Sequence, residues 1–204
     1  QAKGNDVEFI KSMLRRLRQA KCDNSELIEQ ATIKLYELDP SAEAAFNMAR
    51  GYLKKDNIEL AKKYYQQAID QEKDSKLLAT YYYESAVLLF VKQNAYSEAR
   101  EMARKALSLD PDLCDANMLI GNIYVEASRS FNAEGIQKSA VFWVASDYYN
   151  KARQGDDCAA DAANKAAELR KYFPNKEEGF MEGLKEGQAY KVGGWINENT
   201  TVRY

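Results

Sequence analysis

Apolar residues in this chain recur at intervals of three and four residues, and the same stop signal ends two successive blocks of them. Leu38-Asp39-Pro40 closes the first block and Leu109-Asp110-Pro111 closes the second. This spacing places apolar side chains on one face of an α-helix, and proline prevents the helix from continuing. Two helical hairpins fit between the stops. The sequence therefore predicts an all-α fold built from repeated helical hairpins.

The periodicity also indicates where the individual helices lie. Apolar stripes run from Val7 to Leu17 and from Leu27 to Leu38, before the first stop. We expect further helices at about 41–54, 57–71, 75–93 and 95–109. A third hairpin follows with extra residues between Tyr124 and Ala145. Its polar stretch 128–135 is predicted to be a mobile loop that can be deleted without unfolding the chain.

Small and aromatic residues occupy matching positions in three of these hairpins. The matching sets are Ala45, Met48-Ala49, Tyr52, Ala61, Tyr65 and Ala68; Tyr83, Ala86-Val87, Phe90, Ala99, Ala103, Ala106 and Pro111; and Asn117, Ile120-Gly121, Tyr124, Ala145, Tyr149 and Ala152. This pattern resembles the tetratricopeptide repeat (TPR) family over most of residues 25–173. The resemblance implies a TPR-type α-solenoid. Because small residues in this pattern mark close helix crossings, we expect Ala99 and Ala145 to be buried.

Two segments are expected along the chain. Residues 1–173 would form about four helical hairpins and an Ala-rich capping helix at 157–173. Residues 174–204 would form a short helix, capped by Asn175 and Glu178, and a short extended or β-hairpin C-terminal tail. Turns are expected at Gly193-Gly194 and at 197–199.

The tail carries more apolar area than a soluble protein normally leaves in water. Its large side chains are Tyr190, Val192, Trp195, Ile196, Val202 and Tyr204. We expect it to dock, with Trp195 buried. Three receiving surfaces are considered: the last helices around Ala159, Ala163 and Tyr172; a groove containing Phe46, Tyr81, Leu88 and Met118; and a second copy of the chain. The last of these would make the tail a homo-oligomer contact.

The tail is also similar to the endings of uncharacterised, exported TPR proteins of Gram-negative gut bacteria. That resemblance implies an exported, periplasmic location, and a cytoplasmic location is the alternative. The chain begins at Gln1 and shows no charged segment followed by an apolar one, as a signal peptide would. It is therefore expected to be a processed product or a trimmed chain, and further repeats before Gln1 stay an open question.

Composition argues against several function classes. The chain has no histidine, which removes the usual general base and the commonest metal ligand, so we expect no enzyme, cofactor or metal. A net charge of −2 does not suit a nucleic-acid partner. No apolar run has the length of a membrane span. The basic residues Lys11, Arg15, Arg16, Arg18 and Lys21 are interpreted as the solvated face of the first helix.

Three cysteines are present, and their sequence spacing does not suit a metal site. Cys22, Cys114 and Cys158 are interpreted first as small buried or half-buried thiols. A bridge between Cys114 and Cys158 is the alternative, because both would begin helices of adjacent repeats. The sequence does not decide between the two.

The TPR resemblance implies a non-catalytic protein–protein interaction scaffold, whose first helices line a concave groove for a peptide or partner protein. By spacing, the groove residues are Phe46, Arg50, Leu53, Tyr81, Glu84, Leu88, Val91, Met118, Asn122 and Val125. Most are apolar or aromatic, which suits an apolar peptide or helix. A clamp for an acidic peptide terminus is not expected, because Glu84 would repel a carboxylate. The alternative is a structural or self-assembly module whose groove or end its own chain fills.

These expectations lead to a first test by circular dichroism. The helical periodicity predicts about 70–80% helix, with at most one short β-hairpin. A spectrum showing less than half helix would contradict the all-α fold.

Overall fold

A computed structural model of the chain describes residues 6–20 and 26–204, and 71% of it is helical. Lys21 and Cys22 lie outside the described residues, as does the side chain of Arg18. The described elements are α1 (Val7–Gln19), α2 (Glu26–Leu38), α3 (Ala42–Lys54), α4 (Ile58–Gln71), α5 (Ser75–Gln93), α6 (Tyr96–Leu109), α7 (Cys114–Ala127), α8 (Gly135–Ala152), α9 (Ala159–Glu168), α10 (Lys176–Met181), β1 (Ala189–Val192) and β2 (Glu198–Thr201). The predicted all-α fold with a short C-terminal β-hairpin is confirmed.

The chain forms two compact units, residues 1–81 and residues 82–204. In the first unit, Ile10 and Leu14 of α1 pack with Ala31 and Leu35 of α2 in one core cluster. These residues belong to the two apolar stripes expected there. Leu38, at the end of the second stripe, is instead exposed.

Small residues allow α3 and α4 to approach closely in the first unit. Ala45 and Ala49 of α3 and Ala61 and Ala68 of α4 are fully buried. Tyr65 of α4 is also buried and meets the ring of Phe46 edge-on at 5.7 Å between centroids. The aromatic ring fills the space beside the small residues, as the repeat pattern predicts. Ser41 begins α3 by accepting a hydrogen bond from the backbone N–H of Ala44.

The second unit contains the same kind of crossing between α7 and α8. A Cβ atom on Gly121 would lie 2.4 Å from a ring carbon of Tyr149, so only glycine fits this contact. Ala145, one helical turn before Tyr149 in α8, is fully buried. Ala99 of α6 is fully buried as well. The expectation that Ala99 and Ala145 are buried is therefore confirmed.

The C-terminal segment continues the second unit. Helix α9 is followed by a 3₁₀ helix at Leu169–Tyr172, within the range predicted for the capping helix. Asn175 and Glu178 form the predicted capping box at the start of α10. Strands β1 and β2 pair antiparallel, with Ala189 opposite Thr201. The turn expected at 197–199 was wrong, because Glu198 and Asn199 already belong to β2 and a single turn joins the strands.

The segment between α7 and α8 spans residues 128–134 and matches the loop expected at 128–135 to within one residue, because α8 begins at Gly135. Ser128 and Phe131 within it are buried. An added Cβ on Gly194 of the tail would lie 3.0 Å from the Phe131 ring. The segment thus includes an apolar anchor for the tail. Its predicted mobility and its tolerance of deletion stay predictions.

The crossing at Ala99 provides a stability test. Ala99→Leu adds three carbons where no space exists, so we expect the free energy of unfolding to fall by about 1–3 kcal/mol. Thermal unfolding followed by circular dichroism measures the change. Ala160→Leu on the exposed face of α9 is the matched control and should leave stability nearly unchanged. Equal melting temperatures for both variants would show that the assigned crossing is wrong.

Candidate interaction surfaces

The tail is held on the second unit by one carboxylate with several donors. Glu198 Oε1 accepts hydrogen bonds from Tyr124 Oη at 2.6 Å and Tyr148 Oη at 2.9 Å, and it also contacts the guanidinium of Arg104. The donors come from α6, α7 and α8, so this single side chain ties β2 to three helices. Charge-assisted hydrogen bonds of this kind are stronger than neutral ones.

A second anchor lies at the turn of the tail. Arg100 of α6 is buried, and its Nη1 donates to the backbone oxygens of Trp195 at 2.9 Å and Ile196 at 2.8 Å. Its guanidinium also lies 5.1 Å from the centroid of the Trp195 ring, which is a cation–π contact. Val192 and Ile196, the apolar side chains on either side of the turn, are fully buried.

Further contacts join the tail to α8. Asp147 accepts hydrogen bonds from Thr200 Oγ1 at 2.6 Å and from Arg203 Nη2 at 2.7 Å. Gln137 donates to the backbone oxygen of Lys191 at 3.2 Å and accepts from the N–H of Gly193 at 3.1 Å. The tail therefore lies mainly against α6 and α8, the second helices of their hairpins.

This docking site differs from the expected ones. The tail meets mainly the polar and aromatic side chains of α6 and α8, which offer charged partners for Glu198 and Arg203. Near the last helices, the Arg203 guanidinium lies 5.8 Å from the centroid of the Phe173 ring, next to Tyr172. The expectation that Trp195 is buried was wrong in degree, because its ring is half-buried beside Arg100. The fully buried tryptophan is Trp143, whose Nε1 has no hydrogen-bond partner among the described residues.

Burial and the carboxylate together perturb the tyrosines of this cluster. Burial raises the pKa of Tyr124 far above its usual range, and the hydrogen bond to Glu198 raises it further. Burial also raises the pKa of Tyr148, although the adjacent Arg104 opposes the increase. Both phenols therefore stay neutral donors near neutral pH. Their role here is structural, since they hold β2 in place.

Four predicted groove residues lie in the first unit. The rings of Phe46 and Tyr81 stack with centroids 4.3 Å apart, and both side chains are buried. The guanidinium of Arg50, an exposed residue, lies 5.7 Å from the centroid of the Phe46 ring. Leu53 is half-buried. The structure therefore brings a cation and two aromatic rings together on α3 and the start of α5.

The other six predicted groove residues lie in the second unit. Leu88 and Met118 are buried, so they offer little surface to a partner, while 60% of Val91 is exposed. The half-buried members are Glu84, Asn122 and Val125. Whether these residues bind a partner stays a prediction.

Asn122 also shows a contact that the sequence reasoning missed. Its Oδ1 accepts hydrogen bonds from Tyr149 Oη at 2.9 Å and from Lys165 Nζ at 3.4 Å. Lys165 lies on α9, which the sequence predicts only to be a capping helix. The helical periodicity of α9 could have indicated this contact. It places Lys165 on one face of α9, and a helix that follows α8 in the repeat pattern can face α7 and Asn122.

The structure resolves the open question about the cysteines. Cys114 and Cys158 form a disulfide with 6.1 Å between their Cα atoms, which is within the usual range. The bridge joins the start of α7 to the residue before α9. Among the described residues, Cys114, Cys158 and Asp115 form the one cluster with metal-ligand spacing, and its two sulfurs are bonded to each other.

The fold and these surfaces define a class of proteins built from successive antiparallel helical hairpins. A family model described as tetratricopeptide repeat matches residues 42–75 and 79–113. Residues 42–75 and 79–113 of this chain are therefore tetratricopeptide repeats. No curated protein matches its sequence.

Solved structures support the same fold. A crystal structure of MamA protein is 22% identical and covers 78% of this chain and 78% of its own, with a TM-score of 0.56. A second crystal structure of MamA, also 22% identical, covers 77% of this chain and 82% of its own at a TM-score of 0.56. Repeat proteins of this class commonly use the surfaces of successive repeats for binding. Among residues 6–20 and 26–204, no helix combines the length and hydropathy needed to cross a membrane.

The anchoring role of Glu198 can be tested by Glu198→Gln. The change removes the charge but keeps the shape, so the bonds from Arg104, Tyr124 and Tyr148 weaken, and we expect the free energy of unfolding to fall by about 1–3 kcal/mol. Urea unfolding measures the change. Glu168→Gln, on an exposed residue of α9, is the matched control and should change little. If the two variants unfold at the same urea concentration, Glu198 does not anchor the tail.

Proposed function

We propose that this protein is a non-catalytic scaffold that binds a peptide or partner protein on the faces of its first helices. The proposal needs no cofactor, because binding a polypeptide requires only contact surface and hydrogen-bonding groups. The composition gives no basis for a nucleic-acid partner, since the net charge is −2.

The observation that carries the proposal is the position of the tail. Residues 189–203 are bound by Arg100 and Arg104 of α6 and by Gln137 and Asp147 of α8, which are second helices. Tyr124, the α7 residue that binds the tail, is itself fully buried. The first-helix residues Val91 and Val125 retain exposed area. The tail thus buries its own apolar side chains against second helices and does not cover Val91 or Val125 of the predicted binding face.

The side chains exposed on the first helices favour a peptide with apolar side chains, whose main-chain N–H and C=O groups can form hydrogen bonds with the protein. In the second unit, Val91 and Val125 supply apolar surface, and Asn122 and Lys165 supply hydrogen-bonding groups. In the first unit, the Arg50 guanidinium lies over the Phe46 ring, which stacks on Tyr81. A helix or extended segment with spaced apolar anchors would suit the surface of either unit by itself.

A second candidate is a structural or self-assembly module. The intramolecular docking of the tail favours it, because Val192, Ile196 and Val202 are buried in their own chain. A homo-oligomer formed through the tail would require these side chains to leave that site, so self-assembly is proposed only through other surfaces.

The disulfide supports an exported, periplasmic location for this scaffold. Disulfides persist in the periplasm and outside cells and are rare in the cytosol. The bridge between Cys114 and Cys158 suits the first setting. A free-thiol assay on protein isolated from its native cells would report a reduced pair if the protein resided in the cytosol.

Site-specific photo-crosslinking tests the binding face. Benzoylphenylalanine at Val91, on the first helix α5, should form covalent adducts with a defined polypeptide in an extract of the native organism. The matched control carries the same group at Glu98, an exposed residue of the second helix α6. We expect adducts at Val91 and none at Glu98, because a docked partner covers one face only.

The outcomes separate the two candidates. Adducts with another polypeptide at Val91 support the scaffold, and adducts that contain only a second copy of this chain support the self-assembly module. Equal labelling at both positions, or no adduct at Val91, contradicts the proposed binding face.

A further inference from the structure

A cavity of about 510 Å³ lies beside the disulfide in the second unit. Its walls come from the end of α6 and the following linker, the start of α7, and the end of α8 with the turn after it. Cys114, Gly155 and Leu107 are among its lining residues. This volume is in the range of sites that bind small ligands or side chains.

Two of the residues that line the cavity, Asn117 and Gly155, are smaller than a typical core residue. Asn117 stands where the TPR pattern has a bulky residue, three positions before Ile120-Gly121. Gly155 packs directly on the bridge, since an added Cβ would lie 2.7 Å from Cys114 Cβ. A large side chain at position 117 would fill space that is open in this chain.

Asn117 is the feature that points to a ligand. Its side chain lines the cavity and is 92% buried, since only 8% of it is exposed, and it forms no hydrogen bond with any described residue. The amide is open to the cavity, because the one sealed side-chain nitrogen or oxygen without a partner among the described residues is Trp143 Nε1. Such a group is expected to have a hydrogen-bonding partner when the site is occupied.

The charged residues at the rim of the cavity indicate the sign of the charge on its ligand. Asp112 and Asp156 both line the cavity, and neither carboxylate forms an ion pair within the described residues. Lys151, the cation of the lining, has its ammonium 4.3 Å from the centroid of the Tyr148 ring. The end of α8, whose carbonyls face this region, also favours a positive charge.

Resting on the proposed function, we propose that this cavity binds an arginine or lysine side chain of the partner polypeptide. The Asn117 amide oxygen accepts a hydrogen bond from the basic group, and Asp112 and Asp156 balance its charge. Leu107 and Pro111 pack against the aliphatic stem. The cavity would thus add selectivity for a basic residue to the scaffold.

The test is an NMR titration of the ¹⁵N-labelled protein with acetyl-Gly-Arg-Gly-amide. We expect saturable shifts of the Asn117 side-chain amide and of the Gly155 backbone amide. The peptide with citrulline in place of arginine has the same shape without the charge, and it should bind at least about tenfold more weakly. No saturable shift at millimolar peptide, or equal affinity for the citrulline peptide, overturns the proposal.

Variants locate the binding. Asp112→Asn combined with Asp156→Asn should weaken binding by about tenfold or more, whereas Asp157→Asn, a neighbouring exposed residue outside the lining, should not. Asn117→Leu should abolish binding, because it removes the amide and fills part of the cavity with apolar volume, and a cooperative melting curve shows that the variant is folded. Unchanged binding by either the double variant or Asn117→Leu overturns the proposal.

This result is separable from that for the proposed function. If the peptide fails to bind but crosslinks still form at Val91, the cavity assignment is wrong and the scaffold stands. If the arginine peptide binds while Val91 yields no adduct, the first-helix face is wrong and the cavity stands as an independent site.

Discussion

Close contact between small and aromatic residues at the helix crossings is the constraint on which the rest of the structure depends. Gly121 leaves room for the ring of Tyr149, and Ala45 and Ala61 are fully buried in the same unit as the buried Tyr65. Because these contacts set how near the paired helices lie, they also set where every other side chain of the hairpin points. The unpartnered Asn117 and the position of Asn122 follow from the same register, since both lie on α7 within one turn of Gly121.

The tail adds a different kind of interaction to this framework. Its strands are too short to be stable alone, and they are held by Glu198 and by the guanidinium of Arg100. Both anchors are largely withdrawn from water and surrounded by hydrogen-bonding partners, which is the condition under which buried charges are tolerated. Apolar contacts of Val192, Ile196 and Val202 complete the docking. The tail therefore closes the surface of α6 and α8.

Local patterns in the sequence predicted the helices, the register at Ala99 and Ala145, and the capping box at Asn175, because each depends on residues close together in the chain. The docking site of the tail could not be predicted in the same way. It depends on Glu198 meeting Arg104 and tyrosines far away in sequence. Burial of predicted groove residues such as Leu88 was missed for a related reason: spacing gives a helix face, but only the neighbouring helices decide how much of it stays exposed.

The central claim is that the tail is a docked part of the second unit, which leaves surface of Val91 and Val125 exposed. Amide hydrogen exchange of the purified protein, read by mass spectrometry over residues 189–202 and over α8, tests this most directly. Docking predicts that amides of the two segments are protected to a similar degree, because Val202 N–H bonds to Gln188 and the strands pair with each other. Exchange of 189–202 at the rate of an unstructured peptide, with α8 still protected, would contradict the account.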